Sequence, residues 1–173
     1  PTRAALRLIL LTAQRPGEVR RMERGELSPD LAWWTIPAEK AKNRLAHRVP
    51  LSAPAREIVR ALLPEGGGAG AGASFIFRGP SGHALASSTL SNGLRLWQRP
   101  RRNRAGPPLP PAIAAAAPFT PHDLRRSAAS HMAGLGVPRL VLGRILNHAE
   151  RGVTAIYDRH SYDREKAAAL DAW

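Results

Sequence analysis

The chain contains no cysteine, which excludes a disulfide framework, thiolate zinc sites and a cysteine nucleophile. That absence suits a reducing compartment. Acidic residues are scarce, 13 Asp and Glu against 26 Lys and Arg, and none cluster at metal-ligand spacing, which argues against a two-metal mechanism. No run approaches the roughly 20 apolar residues that span a bilayer, so a membrane-spanning helix is not expected. Residues Pro1 to Thr12 lack the charged start, long apolar stretch and small-residue cleavage site of a signal peptide. The glycines of 66–72 are not followed by the Lys-Ser/Thr of a nucleotide phosphate loop. Aromatic residues make up 5% of the chain, and its two tyrosines are Tyr157 and Tyr162.

What is present is a chain of 173 residues, 43% hydrophobic, with a mean hydropathy of −0.28. That length predicts one domain with a genuine core, burying roughly two-thirds of its unfolded surface. The net charge of +13 predicts a polyanionic partner, nucleic acid before an anionic membrane surface. An arginine-rich composition of the kind GC-rich genomes produce accounts for part of it. The chain opens without Met and inside a helix-like apolar pattern, so a preceding N-terminal part is expected.

Apolar spacing predicts a helix over Ala4 to Leu11 and helical turns over Gly17 to Met22. Leu31 to Ile36 and Arg48 to Leu51 read as two short strands of a hairpin, whose long basic tip runs from Glu39 to His47. Ser52 is placed to cap a helix over Ala53 to Leu63, with Pro54 in its first turn. Gly66 to Ala73 is a linker, followed by the apolar Phe75-Ile-Phe77. Ser87 or Ser88 caps a helix ending near Trp97. Residues 98–118 read as a basic irregular loop. Helices are predicted over His122 to Ala133, ended by Gly134 and Gly136, and over Val137 to Leu146 with Pro138 in the first turn. Two more follow at Gly152 to Arg159 and Asp163 to Leu170. The expected class is α+β, mainly helical, with a small antiparallel sheet near the N-terminal third.

Six polar residues can carry chemistry: Arg15, Lys42, His122, Arg125, His148 and Tyr157. On a helix, His122 and Arg125 share a face one turn apart. A guanidinium fork beside an imidazole suits a phosphodiester, the one gripping two oxygens and the other moving a proton near neutral pH. A tyrosine phenol titrates near 10 and needs cationic neighbours to act as a nucleophile; a tyrosine that merely caps a core is the alternative. Glu18 either pairs with Arg15 in a buried site or forms an ordinary exposed ion pair.

Taken together and in order, Arg15 with Gly17-Glu18, Lys42, His122-x-x-Arg125, Leu146-Asn-His148 and Tyr157 resemble the tyrosine recombinases of the phage integrase family. The segments Ile36 to Asn43 and His47 to Ser52 resemble the prophage and genomic-island branch, and the likeness runs from Leu6 to Leu170. It implies that Tyr157 attacks the scissile phosphate to form a 3′-phosphotyrosine, with Arg15 and Arg125 clamping the non-bridging oxygens. It implies that Lys42 protonates the departing 5′-hydroxyl, that His122 assists proton transfer and that His148 contacts the phosphate. No metal or nucleotide cofactor is implied. Glu18 and Asp123 are expected to support these groups. Arg44, Arg99, Arg101, Arg102 and Arg104 are candidate DNA-backbone contacts or a solvated face, and His47, His83, His131 and His160 are structural or solvated. Ala13 stands where the family commonly has Gly. Tyr162 is a rival nucleophile, 14 positions after His148 rather than nine.

The resemblance further implies double-stranded DNA as partner, a monomer that becomes a tetramer on two duplexes, and a bacterial cytoplasmic, nucleoid-associated setting. Residues 1–173 are read as the catalytic domain, with an N-terminal core-binding domain absent from this chain. The segment Asp163 to Leu170 with Trp173 docks either on a neighbouring protomer or on its own core. A non-enzymatic DNA-binding module, a decayed integrase and a type IB topoisomerase remain alternatives.

Overall fold

A computed structural model describes residues 1–63, 75–98, 117–148 and 160–173. Among these, seven α-helices surround a core, with one two-stranded sheet. In chain order they are α1 (Thr2–Thr12), α2 (Pro16–Val19), β1 (Trp33–Ile36), β2 (His47–Pro50), α3 (Ala53–Arg60), α4 (Ser87–Gln98), α5 (Pro121–Gly134), α6 (Arg139–Ile145) and α7 (Asp163–Ala172), with a 3₁₀ turn at Arg24–Glu26.

Helix α1 is the spine. Its Ala5, Leu8 and Ile9 are fully buried, at the spacing that lines one helix face. It packs against α2, α3, α4 and α5. At Gly93 of α4 an added Cβ would stand 2.8 Å from Thr2 Cγ2, so the absent side chain is what lets α4 meet the start of α1.

Strands β1 and β2 pair antiparallel, with Trp34 opposite Val49 and Ile36 opposite His47. Trp34, Ile36 and Val49 point into the core, and Arg48 covers the outer face of Trp33 at 4.3 Å. The expected strand start at Leu31 moves to Trp33 because Leu31 sits at φ 58°. It belongs to a turn in which Asp30 accepts from Ser28 Oγ and the Ala32 amide. The Phe75 to Phe77 segment forms an isolated bridge to Glu23 rather than a strand.

The other elements fall close to expectation. Helix α3 ends at Arg60, continued by 3₁₀-type bonds from Leu62 to Val59 and Leu63 to Arg60. Ser52 occupies its N-cap position but makes no side-chain cap. Pro138 is the N-cap residue of α6 rather than part of its first turn. Helix α7 packs on α6 and β2 of its own chain. There Lys166, buried, donates to Arg48 O at 2.8 Å and pairs with Asp163 at 2.9 Å, and Trp173 Nε1 donates to Leu10 O at 2.8 Å. The helix expected over Gly152 to Arg159 lies outside the described residues, as do all of the glycine linker and most of the 98–118 loop. No helix among the described residues is long and apolar enough to cross a membrane.

Candidate active site

The first wall of the site is the turn that leaves α1. Thr12 Oγ1 donates to Leu8 O at 2.7 Å, and Ala13 turns the chain at φ 54°. Arg15 is extended because Pro16 follows it, and that proline starts α2 with φ already set. Glu18, in the first turn of α2, reaches back: its Oε2 accepts from the Arg15 amide at 3.1 Å and its Oε1 from Arg15 Nη1 at 3.0 Å. The carboxylate is almost fully enclosed. One buried acid therefore fixes both the backbone and the guanidinium of Arg15, the buried alternative of the two readings of Glu18.

The second wall is the C-terminal end of α6. A helix leaves its last carbonyls without intrahelical partners, at the negative pole of its dipole. Here three successive carbonyls take side-chain donors from other parts of the chain. Ile145 O accepts from Gln14 Nε2 at 2.8 Å and His47 Nε2 at 3.0 Å. Leu146 O accepts from Arg125 Nη2 at 2.7 Å, whose Nη1 reaches Ala13 O at 2.8 Å. Asn147 O accepts from Asn43 Nδ2 at 3.1 Å and lies 3.5 Å from Arg15 Nη2. Because Ile145 O can only accept, His47 carries its proton on Nε2. Arg125, on α5, thus ties α1 to α6 and spends two of its five N–H donors doing so.

The same geometry sets the electrostatics. Burial, with Arg15 nearby and only Glu18 opposing, lowers Arg125 to about 10. His148 is lowered by burial and then by Arg125 and Arg15. His122 is lowered by burial, then by Arg126 and Arg125. Both imidazoles are therefore neutral at neutral pH and able to accept a proton. Two guanidiniums share one carboxylate, so the pocket keeps excess positive charge facing two exposed, neutral histidines. That is an anion site with proton acceptors at its rim.

The third wall is the β1–β2 connection. Lys40 is tied down: its ammonium pairs with both Glu23 and Glu26 and donates to Arg21 O at 3.2 Å. Arg21 in turn donates to Lys40 O at 3.2 Å, and Trp34 Nε1 to Glu26 at 2.9 Å. Lys42, two residues on, is exposed and makes no ion pair among the described residues. Asn43, next to Lys42, bonds Asn147 across the site.

Residues 1–164 match the model of the phage integrase family. The chain belongs to that family. Prophage integrase IntA of Escherichia coli K12 is 27% identical over 175 residues, covering 99% of this chain and 38% of IntA. Tyrosine recombinase XerC of Brucella melitensis biotype 1 is 30% identical over 129 residues, covering 75% of this chain and 36% of XerC. The chain therefore spans less than two-fifths of these relatives. Its fold is shared by the XerH site-specific recombinase bound to its difH substrate, with a TM-score of 0.60 at 19% identity, covering 97% of this chain and 45% of XerH.

Within this integrase fold Arg15, Glu18, Arg125, His122 and His148 come together, and Lys42 stands on the adjoining hairpin tip. Asp123 does not reach the guanidiniums: its carboxylate caps α5 through Thr120 N at 2.9 Å and Oγ1 at 2.7 Å, and pairs with Arg126. Those bonds hold it at about pKa 2. Arg44 is exposed in the tip at φ 57°. Tyr157, Arg99, Arg101, Arg102 and Arg104 lie outside the described residues. Tyr162 is half-buried at φ 55°, with its ring edge against His160 at 4.6 Å and the Arg144 guanidinium over its face at 5.1 Å. His47 is buried and structural, and His131 bonds Ser127 O and stacks on Trp173. An open cleft of ≈ 300 Å³, lined by His148, Asn147, His160 and Lys166, adjoins the cationic pocket. No group of three metal-ligating side chains occurs among the described residues. Gln14 and Asn43, which were not candidates in the sequence, and Asn147, there only the middle of Leu146-Asn-His148, hold the three walls together.

Proposed function

We propose that this chain is the strand-cutting core of a tyrosine-type site-specific recombinase that integrates or excises a mobile DNA element. The observation that carries the reading is the meeting of Arg15 and Arg125 with His122 and His148 at the end of α6, beside a lysine-bearing hairpin. The family membership, the relatives' names and the net charge of +13 support it.

In this reading the phosphodiester sits in the cationic pocket, its non-bridging oxygens on Arg15 and the unused N–H groups of Arg125. The Tyr157 oxygen attacks phosphorus. A P–O bond to tyrosine forms as the P–O5′ bond breaks, and the electron pair goes to O5′. Lys42 supplies a proton to O5′, while neutral His122 takes the phenolic proton. Charge growing on the phosphoryl oxygens meets donors already fixed by Glu18, Ala13 O and Leu146 O, so little reorganisation is needed. The phosphotyrosine keeps the energy of the broken bond, and rejoining by a 5′-hydroxyl needs no nucleotide. A complete reaction engages a core-binding domain on the other face of the duplex and four protomers on two duplexes, at the bacterial nucleoid.

The test is trapping of a covalent protein–DNA adduct on nicked or supercoiled DNA in the presence of a chelator. Unaltered chain is run beside Tyr157→Phe and Tyr162→Phe, with and without a core-binding domain joined in front. An adduct lost only in Tyr157→Phe is expected. Loss only in Tyr162→Phe moves the nucleophile, and no adduct under any condition reduces the chain to a DNA binder.

A further inference from the structure

Asn43 and Asn147, 104 positions apart, meet side chain to side chain. Asn43 Nδ2 donates to Asn147 Oδ1 at 2.9 Å, and Asn147 Nδ2 returns a bond to Asn43 Oδ1 at 3.2 Å. Two backbone groups fix which way the Asn43 amide points. Its Oδ1 accepts from the Leu45 amide at 3.2 Å, and its Nδ2 donates to the Asn147 carbonyl at 3.1 Å. The pair joins the exposed tip of the β1–β2 connection to the end of α6.

Asn147 is also the left-handed residue that closes α6. Its amide bonds Arg144 O at 3.2 Å, the His148 amide bonds Gly143 O at 3.0 Å, and its φ is 49°. This is the double bond pattern in which glycine is the favoured residue, because it has no Cβ to strain. Asparagine tolerates the conformation and adds a side chain that glycine lacks. That side chain is what reaches Asn43.

We propose that the Asn43–Asn147 clasp is the positioning device for Lys42, holding the hairpin tip so that its ammonium meets the departing 5′-oxygen. The proposal rests on the recombinase reading above. Lys42 is exposed and lies between anchored Lys40 and Asn43, so without the clasp its long, rotatable side chain stands on a tip held from one side only. The Asn147 carbonyl also faces Arg15 Nη2 at 3.5 Å, so the clasp sets the proton donor in register with the phosphate clamp. Asn43 and Asn147 act through Lys42 and touch no reacting atom.

The experiment has two readouts on Asn43→Ala, Asn147→Gly and the double variant. Glycine preserves the left-handed turn, so Asn147→Gly removes both side-chain bonds of the clasp and keeps the end of α6, leaving only Asn43 Nδ2 on the carbonyl at 3.1 Å. The first readout is amide hydrogen exchange. Exchange over residues 40–46 should quicken by about tenfold in Asn43→Ala, by less in Asn147→Gly, and in the double no further than in Asn43→Ala. The second is adduct formation on oligonucleotides built at the cleavage position mapped for the unaltered chain. One carries an ordinary phosphodiester and the other a 3′-p-nitrophenyl phosphate, whose leaving group departs as a stable anion without a proton. Adduct formation should fall by about 10- to 100-fold on the phosphodiester and stay within about twofold on the nitrophenyl ester. Asn147→Asp, which keeps Oδ1 for Asn43, should recover part of the loss. Unchanged exchange, or additive changes in the double variant, overturns the clasp. Equal losses on both substrates overturn its action through Lys42. If the unaltered chain forms no adduct on any DNA, the recombinase reading and this catalytic role fall together, while the exchange data still decide the clasp.

Discussion

Replacing His47 with glutamine should remove an acid-sensitive joint between the hairpin and α6. His47 is 6% exposed and donates through Nε2 to Ile145 O at 3.0 Å. Burial first, then the positive field of Lys166, Arg125 and Arg15, lowers its pKa from 6.5 to about 4. The folded value lies below the unfolded one, so acid protonates the unfolded chain first. The contribution is complete above about pH 6.5 and is lost as pH falls toward 4. With those two values, the loss at pH 5 is about 2 kcal/mol. Glutamine offers Ile145 O a neutral amide donor and does not titrate.

The assay is urea unfolding of both proteins at pH 7.5, 6 and 5. His122, His148 and the carboxylates titrate in both and cancel in the difference. The stability of unaltered chain minus His47→Gln should drop by about 2 kcal/mol between pH 7.5 and 5. A difference that stays flat to within 0.5 kcal/mol would falsify the placement of His47 as a buried neutral donor.

Glu18→Gln puts an amide where two donors of Arg15 converge, so adduct formation should fall by about 10- to 100-fold with helical content retained, read by adduct yield beside circular dichroism. Arg125→Lys replaces the fork whose Nη1 and Nη2 each meet one of Ala13 O and Leu146 O with a single, shorter-reaching ammonium. It should cost about 1–3 kcal/mol, seen as a Tm loss of several degrees in thermal melts. Lys42→Ala should leave stability within about 0.5 kcal/mol while lowering adduct formation by about 10²–10³. Lys40→Ala should lower stability as well, since it leaves Glu23 and Glu26 facing each other, and melts set beside adduct assays separate the two lysines.

The described helices and the hairpin were legible because apolar periodicity and turn chemistry are local, whereas the register of its facing pairs was not read. His122 and Arg125 were legible as a pair for the same reason: three residues on one helix. The Arg15–Glu18 bond was visible as one of two possibilities, and burial, which no local pattern encodes, decided it. Asp123 was expected to support the clamp; its bonds, three residues after Thr120, cap a helix, and its charge also acts on His122. The hub at Ile145, Leu146 and Asn147 could not be read, because it is made of carbonyls, which every residue possesses. Gln14, Asn43 and Lys166 carry no signature of their own; only the docking of α6 and α7 gives each its partner. Ala13 marks a departure from the family's common glycine, and the chain still turns there at φ 54°, a conformation costing an L-residue about 1 kcal/mol.

The bonds that close this fold and the bonds that aim its site are largely the same bonds. Arg125 clamps α1 to α6 with the guanidinium of the cationic pocket, and Gln14, His47 and Asn43 join the same helix end. A substitution at any of them disturbs packing and chemistry together, so lost activity there reports mechanism only beside a second readout, such as exchange or a leaving group that needs no proton. Lys42, His122 and His148 are different, since all three are exposed and contribute little to the core. Stability and activity should therefore separate at these three positions and covary at the hub. The helix end also explains why cations can be crowded there. Two arginines beside one carboxylate repel each other, but the unpaired carbonyls of α6 and Ala13 bind their N–H groups and offset that repulsion. The repulsion that remains is relieved when an anion enters, so a phosphate-bearing ligand should raise the melting temperature of the chain and protect the end of α6 from exchange.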